Sequence, residues 1–116
     1  MYRIDGTSVW LTRGDTFETT VTIKQADGTT YTPSGSDEVT FGLKRALFTN
    51  GGKEFADTTP LISKTIPIAT MTLTLLPTDT EKLSFGKYKY DIQLTHNGEV
   101  STFIENADFI ITPEVH

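Results

Sequence analysis

The chain has 116 residues, no cysteine, and fifteen acidic against ten basic residues, for a formal charge of −5. That length fits one domain, residues 1–116, able to bury a core without cross-links. Disulfides and thiolate metal sites are excluded, and scattered Lys and Arg on an acidic chain argue against nucleic acid as a partner, because phosphate contacts need clustered cations.

Threonine is frequent and falls mainly inside alternating runs, where β-branched side chains suit a pleated surface. A short strand is expected over Ser8 to Leu11, ended by Arg13-Gly14-Asp15. The next, Thr16 to Gln25, places Phe17, Thr19, Val21 and Ile23 on one face and Glu18, Thr20, Thr22 and Lys24 on the other. Asp27-Gly28 then turns the chain. After Pro33-Ser34-Gly35-Ser36, the run Glu38 to Arg45 points Val39, Phe41 and Leu43 inward. The pattern lapses from Leu47 to Pro60, with Asn50-Gly51-Gly52 as a flexible loop tip.

Leu61 to Ile66 reads as a weaker strand, and Thr70 to Leu76 as a clear one with Met71, Leu73 and Leu75 inward. Pro77 to Leu83 reads as a short helical turn capped by Thr78 or Asp79. From Lys87 to Thr95, Tyr88, Tyr90, Ile92 and Leu94 alternate with polar residues. Asn97-Gly98 is a two-residue hairpin signal, since both positions tolerate the positive φ of a type I′ turn. Val100 to Glu105 and Asp108 to Thr112 close the chain, and the break at Asn106-Ala107 suggests a bulge.

These elements predict an all-β fold: a single antiparallel, Ig-like β-sandwich of seven or eight strands, with one short helical turn near residues 77–83. A small barrel is the alternative. The expected core is Phe17, Val21, Ile23, Phe41, Leu43, Met71, Leu73, Leu75, Tyr88, Tyr90, Ile92 and Leu94. Leu83, Gly86 and Tyr88 are spaced as in a tyrosine corner, in which the Tyr88 ring packs against Leu83 and its hydroxyl bonds a backbone group a few residues upstream, near Asp79 to Leu83.

No membrane partner is expected. The most apolar run, Ile66 to Leu76, is broken by Pro67 and threonines, and no apolar h-region follows Met1-Tyr2-Arg3-Ile4-Asp5. Arg13-Gly14-Asp15 spells an integrin-recognised tripeptide but reads as turn chemistry, because adhesion needs an exposed loop tip. His96 and His116 have no carboxylate and serine beside them in sequence, so no catalytic residue is assigned. Asp15 with Glu18, Asp37 with Glu38, and Asp57 lack a calcium-loop pattern and read as solvated charge; no metal and no cofactor are expected. Trp10, Tyr2, Tyr31, Phe48, Phe55 and Phe103 offer either core material or a sugar platform. Phe48 and Phe55, in the least regular segment, are the candidate contacts, together with the terminal strand through Ile110.

Four segments carry a resemblance. They are Leu11-Thr12-Arg13-Gly14-Asp15-Thr16-Phe17, Leu76-Pro77-Thr78-Asp79-Thr80-Glu81-Lys82-Leu83, Gly86-Lys87-Tyr88-Lys89-Tyr90-Asp91-Ile92-Gln93-Leu94, and Ala107-Asp108-Phe109-Ile110-Ile111-Thr112-Pro113-Glu114-Val115. Together they resemble small virion proteins of tailed phages and prophages of Gram-positive bacteria, and in particular the N-terminal Ig-like domain of the baseplate upper protein family. The resemblance implies a non-enzymatic structural protein, an adaptor in tail or baseplate assembly whose partners are other virion proteins or copies of itself. It implies a location in the virion, and in the bacterial cytoplasm during assembly. The family's fibre or receptor-binding portion has no counterpart in these 116 residues, which extends the expected place to tail, neck or head. A carbohydrate- or cell-surface-binding module is the alternative, since a sandwich fold alone does not separate the two.

Overall fold

The computed structural model describes residues 2–25 and 27–113. Among them ten strands and one short helix follow in the order β1 (Tyr2–Asp5), β2 (Ser8–Thr12), β3 (Phe17–Thr20), β4 (Ile23–Lys24), β5 (Thr30–Tyr31), β6 (Glu38–Phe48), β7 (Glu54–Ile66), β8 (Thr72–Leu75), α1 (Pro77–Thr80), β9 (Gly86–His96) and β10 (Glu99–Thr112). The protein is all-β, as the alternation of its side chains predicts. No helix among the described residues is long and apolar enough to cross a membrane.

Six strands form one sheet in the order β1-β2-β10-β9-β6-β7, and β3-β8 and β4-β5 form two-stranded ribbons. Phe17 of β3 packs edge-on against Phe109 of β10 at 5.8 Å between ring centres, so the β3-β8 ribbon lies over one face of the large sheet. Phe41, Tyr90 and Phe109 form an aromatic centre with ring separations of 5.6–6.3 Å. Such rings contribute both buried area and favourable edge contacts. Val39, Phe41 and Leu43 from β6 and Tyr88, Tyr90 and Ile92 from β9 are buried, as their phase requires.

Several expectations need correction. The large sheet is not wholly antiparallel, because β2 runs parallel to β10, pairing Val9 with Phe109 and Leu11 with Ile111. The run Thr16 to Gln25 divides into β3 and β4, with the Val21 N–H bonded to the Met71 carbonyl at 2.7 Å between them. Met71 is only half-buried: it precedes β8 in a left-handed conformation (φ 52°), and its N–H bonds the Pro67 carbonyl. Leu94 is likewise half-buried near the end of β9. Val9, Leu11, Val39, Ile62, Ile66, Ala107, Phe109 and Ile111 complete the buried core.

Residues 47–60 are not an irregular loop. β6 continues to Phe48, residues 49–53 turn, and β7 begins at Glu54. Register shifts beside Lys44 hide the regular pairing from a period-two reading. The helical turn is shorter than expected and its cap is Leu76, with Pro77 in the first turn. The Asp79 carboxylate reaches back to accept the Leu76 N–H at 2.7 Å, so this acid serves the helix start from inside the turn.

Candidate functional site

The β6-β7 hairpin carries the candidate contact residues, but it does not put them on one surface. Phe48 pairs with Glu54, and Leu47 pairs with Phe55. Successive side chains of a strand point to opposite faces, so Phe48 and Phe55 lie on opposite sides of the hairpin. They are 64% and 44% exposed.

On the first side, Glu54 meets two lysines of the neighbouring strand. Its carboxylate pairs with Lys87 at 3.0 Å and also with Lys89. Lys89 in turn pairs with Asp108 at 2.5 Å. The two lysines hold the Glu54 carboxyl below its ordinary range, and Lys89 does the same for Asp108. Burial opposes the charge on Lys89, but its two carboxylate partners outweigh that and raise its pKa. Ile110 lies on this face too, opposite Lys87 on one side and Trp10 on the other, and is half-buried. Arg3 covers Trp10, its guanidinium 4.2 Å from the ring centre.

On the second side, the hairpin and the connection from α1 to β9 enclose an open hollow of about 280 Å³. Leu47, Leu61, Leu83 and Phe85 supply its apolar lining, and Arg45 and Lys82 its charge; Lys87 borders it but turns its ammonium to Glu54 on the other side. Among the described residues neither Arg45 nor Lys82 has an ion-pair partner. Leu61 and Phe85 are exposed. Tyr88 borders the hollow and donates its hydroxyl to the Ser84 carbonyl at 2.8 Å, one residue beyond the expected Asp79 to Leu83 stretch.

A polar cluster at the other end of β9 was not legible in local sequence. The Asp37 side chain is buried and His96 stands 2.5 Å from it through Nδ1, so His96 does have a carboxylate partner after all. Tyr31 donates its hydroxyl to the other Asp37 oxygen at 2.6 Å, and the Ser34 N–H donates to the same atom at 3.1 Å. Tyr31, His96 and Ser34 in that order of weight lower the Asp37 pKa to about 2. The same bond raises the Tyr31 phenol. On its outer side His96 Nε2 lies 3.2 Å from the Asn97 amide nitrogen. No hydroxyl or thiol nucleophile is bonded to that nitrogen among the described residues. The arrangement ties the end of β9 to β5 and to the segment before β6. His116 lies outside the described residues.

The remaining candidates are dispersed. Arg13, Gly14 and Asp15 are half-buried. Arg13 donates from its backbone to the Thr112 carbonyl, from Nη1 to the Leu83 carbonyl at 3.3 Å, and stacks on Phe85. Tyr2 stands edge-on to Phe17 and bonds the Glu18 carbonyl, while Phe103 packs against the core. The Asp57 carboxylate accepts the Thr58 N–H. Among the described residues no three acidic, histidine or cysteine side chains converge in a way that could hold a metal ion. Comparison with known proteins returns no match: no protein-family model, no curated protein and no solved structure matches this chain.

Proposed function

We propose that this protein is a non-enzymatic structural component of a tailed-phage or prophage particle, an Ig-like β-sandwich that acts by packing against neighbouring proteins. The observation that carries the reading is the hollow beside β9, where exposed apolar side chains occur together with cations that have no ion-pair partner among the described residues. Apolar side chains left open in a cluster favour a protein partner. The Ig-like assignment is supported by the parallel pairing of β2 with β10, the β10-β9-β6-β7 sheet, the covering β3-β8 ribbon and the Tyr88–Ser84 bond. Its virion setting rests on the resemblance of the four sequence segments.

The sugar-binding alternative is less well supported. A glycan platform needs aromatic rings exposed on one face, whereas Phe48 and Phe55 face opposite ways and Trp10 lies under Arg3. Mass spectrometry of particles purified after prophage induction tests the choice. The chain is expected among the virion proteins in a fixed ratio to a known tail protein. Intact particles without it, together with saturable glycan binding lost in Trp10→Ala, would overturn the proposal.

A further inference from the structure

The basic hollow and the β9-β10 hairpin tip stand at opposite ends of the same strand. Gly86 and Lys87, at the start of β9, border the hollow, and His96 ends the strand at the tip. Eleven residues of strand separate the two poles by roughly 33 Å. The tip carries complementary chemistry. Glu99 is exposed beside Val100, itself 61% exposed, and the exposed Glu38 lies opposite Thr95 on the next strand. Of the cations near that end, Lys24 is turned toward the Thr30 hydroxyl at 3.2 Å. Thus one pole offers Arg45 and Lys82 around leucine and phenylalanine side chains, and the other offers Val100 and Glu38 on one face, flanking Thr95, with Glu99 on the opposite face of the tip.

We infer that the hollow receives the Asn97–Val100 hairpin tip of a second copy of this chain, head to tail. This rests on the packing role proposed above and narrows the partner to the chain itself. A chain of net charge −5 repels its copies in most orientations. Placing Glu99 and Glu38 against Arg45 and Lys82 is an orientation in which attraction replaces repulsion, and it covers Val100 with Leu47, Leu61 and Phe85. The contact is heterologous, because each copy uses a different surface for each neighbour. It therefore propagates into a ring if the rotation closes and into a filament if it does not. One tip in one hollow is well below a standard interface, so the pairwise dissociation constant is expected on the order of 10⁻⁴ M.

Sedimentation velocity on the purified chain, up to about 1 mM, tests this. Concentration-dependent species larger than the monomer are expected, weakening as salt rises from about 0.05 to about 0.5 M. Arg45→Glu with Lys82→Glu, and separately Glu38→Lys with Glu99→Lys, should each weaken association at least roughly tenfold. All four side chains are exposed, so unchanged melting temperatures are expected and check that folding is intact. Mixing the two double variants should restore association, because the intact tip of one meets the intact hollow of the other. Arg45→Ala with Lys82→Ala gives the same loss without new charge, should the reversed variant not fold. A wild-type monomer throughout the range overturns the inference, as does association that neither charge reversal changes. The packing role stands or falls separately, by presence of the chain in particles.

Discussion

The carboxylate of Asp91 on β9 holds the backbone of Asn106 on β10: its Oδ1 accepts the Asn106 N–H at 2.7 Å. Asn106 sits in the left-handed region (φ 51°), within the register shift between Ile104 and Ala107. A bulge leaves backbone groups without ladder partners, and here a side chain of the adjacent strand takes one. The other Asp91 oxygen pairs with Lys44 at 2.7 Å.

Asp91→Ala is therefore expected to cost about 2–4 kcal/mol, since it strands both the bulge N–H and a half-buried cation. Chemical denaturation measures it. Hydrogen exchange at the Asn106 amide should quicken by more than that of its neighbours in β10.

Tyr88→Phe removes the bond to the Ser84 carbonyl while keeping the buried ring. The expected loss is about 0.5–1.5 kcal/mol. An unchanged denaturation midpoint, with unchanged m-value, would show that the hydroxyl contributes nothing.

Acid should destabilise the fold partly through Asp37. Its folded pKa of about 2 lies below the ordinary value of 3.8, so its contribution is present above about pH 4. That contribution is lost as pH falls through the folded value toward 2. Glu54, Asp79 and Asp108 are shifted the same way and add to the loss. Asp37→Asn should flatten, without abolishing, the fall in melting temperature between about pH 5 and pH 2. Tyr31→Phe should flatten it less, since His96 and Ser34 still hold the carboxylate.

Thr80 is fully buried, and its Oγ1 has no hydrogen-bond partner among the described residues. Thr80→Val keeps the shape and removes the unsatisfied hydroxyl. It should raise stability by about 1 kcal/mol, read as a higher melting temperature.

Phe48→Ser should change stability by less than about 0.5 kcal/mol, whereas Phe41→Ala should cost about 3–5 kcal/mol. The two denaturation midpoints test directly whether the hairpin aromatic is surface and the β6 aromatic core.

The strands with uninterrupted alternation were legible because each side chain's face follows from the next. Phe41 and Leu43, or Tyr90 and Ile92, need no knowledge of partners. What escaped were features made by pairing. The β6-β7 hairpin loses its period where the strands change register near Lys44, and Met71 interrupts its run by turning left-handed. Neighbours in sequence offer His96 no carboxylate; it comes from Asp37, 59 positions away. Aligning the expected strands Glu38–Arg45 and Lys87–Thr95 as antiparallel neighbours would have brought the two together. Opposite charges at Lys89 and Asp108, partners across β9 and β10, were available to the same reasoning.

The β2-β10 pairing joins Val9 to Phe109 and Thr12 to Thr112, residues 100 positions apart. During synthesis β2 emerges about 100 residues before β10, with its buried Val9 and Leu11 lacking a strand on that edge until residues 109–112 have been made. Closing so long a loop carries a large entropic cost before any contact repays it. The β6-β9 region can pair beforehand, but β2 must wait for β10. Completion of this fold thus waits on residues 109–112, and a nascent chain halted before residue 109 exposes an unsealed apolar edge.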